Sequence, residues 1–241
     1  MSTSLVPIEA LGSLTTQVGD DSAYTKYSRS GEFLKRLQFF SKAKTLAGGK
    51  KLVPPGNYGI PDGDDVRVLG DSIDVIPLAR RPKAIDFTNP KQPIVVHDPQ
   101  NAEFQRIEAE SAVKDSQCMS GVAFLVLERT TGELYEFFCG NAGLKRAAAE
   151  IAGYLPVTPG DCAARGLSAD SARAPEPCTL GSKFVEKKTW QWHDPTVGRC
   201  STPFVNVPDV EYLAAEITKF VTEKDSDAQV VGAADAPKRA R

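Results

Sequence analysis

The order of the predicted elements favours a β-rich α+β fold, and two observations carry that prediction. Four to six strands, a helix, one more strand and a terminal helix follow one another along the 241 residues. A helix inserted before the last of a run of antiparallel strands is typical of a small antiparallel barrel or sandwich. Strands and helices do not alternate regularly, which disfavours a doubly wound parallel sheet.

Clear turn signals separate the strands of the first half. FLKRLQFF at residues 33–40 predicts a strand, and the Gly and Pro clusters at 48–51, 54–57 and 61–63 predict loops and a turn. The stretch from Val66 to Asp86 is rich in β-forming residues, but Pro77 and Pro82 restrict it to an edge, a bulge or a break. A short strand at 93–96 and a polar helix at 100–112 follow.

The second half contains the clearest hairpin. Two apolar strands within residues 121–140 flank a turn in which Gly132 suits the left-handed position. Asn141 is placed to cap a helix over 142–155, a long loop follows at 156–180, and residues from Ser182 to His193 predict a single strand. Asp209 caps a final amphipathic helix, which we expect to pack on the body.

These elements predict one domain at residues 31–224, a flexible N-terminal arm at 1–30 and a flexible tail at 225–241. The chain carries 29 Lys and Arg against 31 Asp and Glu, and 41% of its residues are hydrophobic, which excludes disordered and coiled-coil classes. The longest bulky apolar run, Val122 to Leu127, is far short of the ~18 residues of a membrane span. With no basic region to begin a signal peptide, the sequence predicts a cytoplasmic protein without a membrane partner.

Five cysteines without a close pair predict reduced thiols. The sequence has no Cys-x-x-Cys and no histidine pair at helical spacing, so no metal site is predicted. Cys162 and Cys178 bracket the 156–180 loop and are the pair to test first for metal binding or oxidation.

Catalytic and cofactor motifs are absent from the sequence. The segment at 48–51 lacks both the first glycine of a phosphate loop and the hydroxyl residue that holds magnesium. No G-x-G-x-x-G, G-x-S-x-G or H-E-x-x-H occurs. The sequence therefore predicts a protein that is not an enzyme and needs no cofactor.

The charge is concentrated in one stretch. Residues 26–51 carry one acid, Glu32, and eight basic residues: Lys26, Arg29, Lys35, Arg36, Lys42, Lys44, Lys50 and Lys51. Such clustering indicates a surface for a polyanion, with a solvated face lacking any partner as an equally weighted alternative. Aromatic residues, Phe39 among them, alternate with these cations and suit stacking on unpaired bases, although the same rings suit a core.

Three further features favour nucleic acid. A predicted strand break carries a cluster of three cations, Arg80, Arg81 and Lys83. Bending of the backbone there presents them together to phosphates. Alternatively, they form a charged sheet edge that discourages strand-to-strand aggregation. Lys145 and Arg146 lie near a helix N-terminus, which suits a phosphate or a solvated face. In a single strand, Trp190 and Trp192 share a face with Lys188 and Phe184, while Lys187 points to the other face. If the two tryptophans are exposed, they form a platform on which bases stack; if they are buried, they belong to the core.

A family resemblance points the same way. The succession FLKRLQFFSKAKT, GKKLVPPGNYGI, LGDSIDVIPLARRPKAIDF and the hairpin ending FFCGN resembles a group of uncharacterised tailed-bacteriophage proteins. That group looks like phage-encoded single-stranded-DNA-binding proteins of the OB-fold type, and the resemblance covers about Ser30 to Pro203. It implies an OB-like small barrel that coats DNA strands during phage replication or recombination in the host cytoplasm, without a cofactor. The chain departs from bacterial-type members by ending in a basic rather than an acidic segment.

We therefore predict a sequence-tolerant single-stranded-DNA-binding protein, with self-association and phage replication or recombination proteins as further candidate partners. The predicted contacts comprise cations for phosphates and rings for stacking: Lys35, Arg36, Lys50, Lys51, Arg80, Arg81, Lys83, Lys145, Arg146, Lys188, Phe39, Tyr58, Trp190 and Trp192. The alternatives are a phage structural or assembly protein without nucleic-acid binding and, with less support, a metal-dependent nuclease using the acidic cluster at 62–65.

Overall fold

A computed structural model describes residues 5–14, 34–45, 52–62, 65–90, 92–202, 204 and 206–222. Within these ranges the chain forms β1 Leu5–Pro7, β2 Lys35–Phe40, β3 Lys44–Thr45, β4 Leu52–Val53, β5 Asn57–Asp62, β6 Asp65–Gly70, β7 Ile73–Asp86, β8 Ile94–Val96, β9 Cys118–Glu128, β10 Leu134–Cys139, β11 Cys178–Lys187, β12 Trp190–Arg199 and β13 Asn206–Pro208. Its α-helices are α1 Ala102–Ser111, α2 Ala142–Ile151, α3 Pro159–Ala164 and α4 Val210–Thr222. The β-rich α+β class is confirmed, and no helix in these ranges has the length and apolar character needed to cross a bilayer.

One nine-stranded sheet dominates the fold. Its order is β12-β11-β7-β9-β10-β2-β5-β6, and β8 pairs with β7 beside this path. The neighbours are antiparallel except β2 and β10, which are parallel. The sheet is thus larger than the predicted small barrel and is mixed rather than purely antiparallel.

The sheet curls so that its first two strands approach strands five places further along the order. The Tyr58 hydroxyl of β5 donates to the Gly181 carbonyl of β11 at 2.9 Å. On β12, the His193 amide donates to the carbonyl of Ser41, just after β2, at 3.0 Å. These two contacts partly close the curl and bring β12 beside the end of β2.

Each face of the sheet carries its own apolar core. The inner core, inside the curl, includes Tyr58, Phe137 and the buried side of α2. The outer core lies between the sheet and α4, with Leu213 and Phe220 among its members. The expectation that the last helix packs on the body is confirmed, and Asp209 accepts from the Glu211 amide at its start.

The first described residues belong to the packed body. Residues 5–7 pair with 206–208, and Leu11 and Leu14 of the following segment are buried in the outer core. Residues 5–14 therefore do not extend away from the domain as part of an arm; residues 15–33 and 223–241 lie outside the described ranges.

β7 shows how a strand accommodates two prolines. The strand is continuous, so the break predicted at Arg80–Lys83 is absent; it pairs with β9 over most of its length, and a register shift between Pro77 and Ala79 fits the bulge among the predicted alternatives of edge, bulge or break. Its other side pairs with β11 at residues 73–75 and with β8 at 84–86. Both prolines lie between the segments paired with β11 and β8. No described strand pairs with that side of β7 there, so the missing N–H groups of the prolines leave no ladder hydrogen bond unmade on it.

Most turns and caps match the sequence. Gly132 has φ 65° in the β9–β10 turn, and Asn141 accepts from the Leu144 amide at the start of α2. Two predictions were wrong. Residues from Ser182 to His193 form two strands rather than one, and the 156–180 loop contains α3, a 3-10 turn at Ala169–Ser171 and a bridge between Val157 and Arg173.

Candidate nucleic-acid interface

The β11–β12 hairpin extends beyond the end of β7. The two strands pair at ten positions, from Cys178 with Arg199 to Lys187 with Trp190. By contrast, β11 pairs with β7 only at residues 178–180. Residues 181–196, which we name the ribbon, therefore extend past β7 as a two-stranded element that ends in a turn at Lys188, whose φ is 56°.

The register of the ribbon fixes which side chains share a face. Directly opposed residues of an antiparallel pair point to the same side. Trp190 is opposite Lys187 and Trp192 is opposite Val185, whereas Phe184 is opposite His193 on the other side. The predicted arrangement was wrong: Lys187 lies on the tryptophan face, Phe184 lies on the other face, and Lys188 lies in the turn.

The ribbon exposes large aromatic rings. Trp190 is 67% exposed and Phe184 is 54% exposed, while Trp192 is half-buried. The Lys42 ammonium lies 5.8 Å from the centre of the Trp190 ring, within cation–π range. An accessible indole beside cations has the two components that a base and its phosphate contact.

The helix α2 flanks the ribbon and adds positive charge. Arg146 donates to the Asp194 carboxylate of β12 at 2.9 Å, and Lys145 is exposed on the same helix. Asp194 also accepts from the Trp192 indole N–H at 2.8 Å, so Arg146 lies beside Trp192. The cations of this interface are Lys42, Lys145, Arg146, Lys183, Lys187 and Lys188, and Asp194 is an acid on the tryptophan face of the ribbon, whereas Glu186 lies on the other face.

Close contacts dock the ribbon on the loop before β5. A Cβ placed on Gly56 would lie 2.3 Å from His193 Nδ1 and 2.5 Å from Ser182 Oγ. Gly56 also has φ 79°, a conformation that side chains rarely adopt. His193 Nδ1 is buried there without a hydrogen-bond partner among the described residues. Only glycine fits between the loop and the ribbon.

We expect Gly56→Ala to detach the ribbon. The variant combines backbone strain of about 1 kcal/mol with a steric clash against His193, so its melting temperature falls and the His193 amide, which donates to Ser41, exchanges faster. Gly132→Ala is the matched control, since φ is 65° there and nothing lies within 4 Å of an added Cβ. Equal effects of the two changes on hydrogen exchange and thermal unfolding would contradict the close fit.

Several predicted phosphate contacts lie in the body instead. Arg81 and Lys83 are buried and bind the Glu136 carboxylate of β10; the Arg81 distance is 3.0 Å. Arg81 also donates to the Phe220 carbonyl of α4 at 2.9 Å and stacks 4.2 Å from its ring. Arg36 is opposite Glu136 in the parallel pair of β2 and β10. Arg81 and Lys83 neutralise one buried carboxylate and are not presented to a nucleic acid, while Arg36 is half-buried on the neighbouring strand.

The other predicted residues are dispersed. Lys35 is exposed at the far end of β2, where its ammonium lies 3.9 Å from Glu133. Arg80 is exposed, but it points to the opposite side of β7 from Arg81. Lys50 and Lys51 lie outside the described residues. None of the described ones lies on the ribbon or α2.

Two predicted stacking rings belong to the inner core. Phe39 and Tyr58 are buried with their ring centres 4.9 Å apart. Burial raises the pKa of the Tyr58 phenol well above its ordinary value, so it remains a hydrogen-bond donor to Gly181. Neither ring is accessible to a base.

One acidic cluster is neutralised by an arginine. Ligand atoms of Asp86, Glu110 and Cys118 lie within 4.8 Å of one another. The Arg106 guanidinium contacts Asp86 at 2.6 Å and Glu110 at 2.8 Å. Burial and the hydrogen bond to Glu110 raise the pKa of the Cys118 thiol to about 11, which keeps it protonated. The cluster is a salt-bridge network built around a cation that the chain itself supplies.

No family model, curated protein or solved structure matches this chain. The resemblance to phage proteins therefore stays a prediction, and the interface is defined by geometry alone. It combines five predicted residues, Lys145, Arg146, Lys188, Trp190 and Trp192, with three that sequence reasoning missed as contacts: Lys42, Lys183 and Lys187. Placing the turn at Lys188 would have put Lys187 opposite Trp190.

Proposed function

We propose that this chain binds single-stranded DNA through the ribbon and the adjacent surface of α2. The observation that carries the proposal is the 67% exposed Trp190 ring on a projecting element, opposite Lys187 and within cation–π range of Lys42. Stacking of bases on such rings is tolerant of sequence because every base has a π face. We therefore propose binding without strong sequence preference.

The wider biological assignment rests on the family resemblance. We propose that the chain acts in phage DNA replication or recombination and that its curled sheet is related to the OB type. The curling of mostly antiparallel strands and the exposed aromatic residues support this assignment. Relative to a five-stranded OB barrel, the sheet has four further strands and a parallel β2–β10 pair.

A titration of the intact protein with fluorescently labelled oligo-dT at several salt concentrations tests the proposal. Each neutralised phosphate contributes about 0.7 to the slope of log affinity against log salt for a single strand, so we expect affinity to fall steeply with salt. Absence of binding at low salt, or binding independent of salt, would overturn the proposal.

The charge contribution is tested by Lys187→Gln. We expect several-fold weaker binding and a salt slope lower by about 0.7, because one phosphate contact is lost. Lys114→Gln is the matched control, since Lys114 is an exposed lysine between α1 and β9, at the end of β7 away from the ribbon. If both variants lowered the affinity equally, the effect would reflect the total charge of the protein, and the ribbon would no longer be assigned as the DNA-binding surface.

A further inference from the structure

Asp194 lies among the cations of the interface, and both of its carboxylate oxygens are engaged. Oδ1 accepts from the Trp192 indole N–H at 2.8 Å, and Oδ2 accepts from Arg146 Nη2 at 2.9 Å. The carboxylate is thus held between an aromatic ring proposed to stack on bases and a cation proposed to bind phosphates.

The first turn of α2 also packs against the Asp194 carboxylate. A Cβ placed on Gly143, in this turn, would be 3.2 Å from Asp194 Oδ1. The turn contains no acidic residue of its own, and the N-terminal end of a helix attracts negative charge. Asp194 of β12 supplies that negative charge from outside the helix.

A guanidinium, an N–H donor and a helix N-terminus are groups that hold phosphate oxygens. We infer that Asp194 occupies the position of a nucleic-acid phosphate in the free protein, and that a DNA phosphate displaces it from Arg146 on binding. This inference rests on the proposed function. It assigns a phosphate subsite to Arg146 and an autoinhibitory role to Asp194.

The exposure of the pair makes the exchange feasible. The Arg146 side chain is 69% exposed and that of Asp194 is 26% exposed, so a phosphate reaches the guanidinium from solvent. Exposed ion pairs contribute little to stability, whereas guanidinium binds phosphate with two parallel hydrogen bonds. A phosphate therefore competes effectively for Arg146.

Asp194→Asn tests the inference, because the amide oxygen still accepts from Trp192 while the charge is lost. We expect oligo-dT affinity to rise about 3- to 10-fold, because the competitor for Arg146 is removed, and the salt slope to stay unchanged, because the wild type already makes the same phosphate contact. Glu186→Gln is the matched control: it removes one charge from the other face of the ribbon, where Glu186 accepts from Gln191. A gain in affinity equal to that of Glu186→Gln would overturn the inference and leave the proposed function intact.

Arg146→Gln separates competition from general repulsion. Alone, it should lower the salt slope of the wild-type protein by about 0.7, and in the double variant it should abolish the affinity gain of Asp194→Asn, which general repulsion alone would leave in place. An unchanged slope in Arg146→Gln overturns the inference even if Asp194→Asn fails to fold. Binding by Asp194→Asn but not by the wild type would support autoinhibition. Absence of binding by every variant would overturn both the inference and the proposed function.

Discussion

Replacing Glu136 with Gln is expected to lower the free energy of unfolding by about 3–5 kcal/mol. The side chains of Glu136, Arg81 and Lys83 are each less than 10% exposed, and the carboxylate is the counter-ion of both cations. Burial already lowers the pKa of Lys83 despite the attraction of Glu136. Without the carboxylate, two cations remain buried between the sheet and α4.

The pH dependence of stability reports on the same group. Burial raises the pKa of Glu136, but the charges and hydrogen bonds of Lys83 and Arg81 outweigh it and lower the pKa from 4.5 to about 2. A lowered folded-state pKa stabilises the protein above the unfolded value, so this contribution is complete above about pH 5 and is lost as the pH falls through 4.5 towards 2. Urea unfolding from pH 7 to pH 3 should show this loss in the wild type and a smaller one in Glu136→Gln.

Glu133→Gln provides the control for this prediction. Glu133 pairs with Lys35 and Arg67, but its side chain is 43% exposed, and exposed pairs typically contribute less than about 1 kcal/mol. If Glu136→Gln were no more destabilising than Glu133→Gln, the buried carboxylate would not hold the outer core together.

Replacing Trp190 with Ala is expected to give the largest loss of binding. Stacking of one base on an aromatic side chain contributes ~1–3 kcal/mol, so oligo-dT affinity should fall by about 5- to 150-fold. The salt slope should stay unchanged because the indole carries no charge. The melting temperature should change little, since two thirds of the side chain is already exposed.

Leu167→Ala is the control for an exposed apolar side chain, since Leu167 is 50% exposed and lies after α3. The wild-type protein should also show quenching of tryptophan fluorescence by oligo-dT, and Trp190→Ala should lose most of it. Undiminished affinity of Trp190→Ala would remove base stacking from the proposed function.

Much of the fold could be predicted because its signals are local. The Gly132 turn, the Asn141 cap and the Asp209 cap each depend on residues close in sequence, and the structure confirms all three. The hairpin at Lys188 was missed because its turn contains neither Gly nor Asn nor Pro, so the two strands have the composition of one. The order of the sheet depends on long-range pairing, which composition does not encode.

The candidate site was only partly predictable for a related reason. A charged residue can be assigned to a surface only when its partners are known, and Glu136, the partner of Arg81 and Lys83, lies more than fifty residues away in sequence. Phe39 and Tyr58 are of the residue types that stack on bases, but their rings face the inside of the curl. By contrast, Trp190 lies at the tip of the ribbon, beyond the end of β7, and its ring is accessible there.

The pairing of β1 with β13 constrains how the protein is made. Residues 5–7 can pair with residues 206–208 only after the latter have left the ribosome. Leu11 and Leu14 are likewise buried only after α4 has been synthesised. Contacts this distant in sequence form slowly. The residues between these two segments therefore emerge while the apolar segment that contains Leu11 and Leu14 is still uncovered, and during this interval the segment is available to a chaperone.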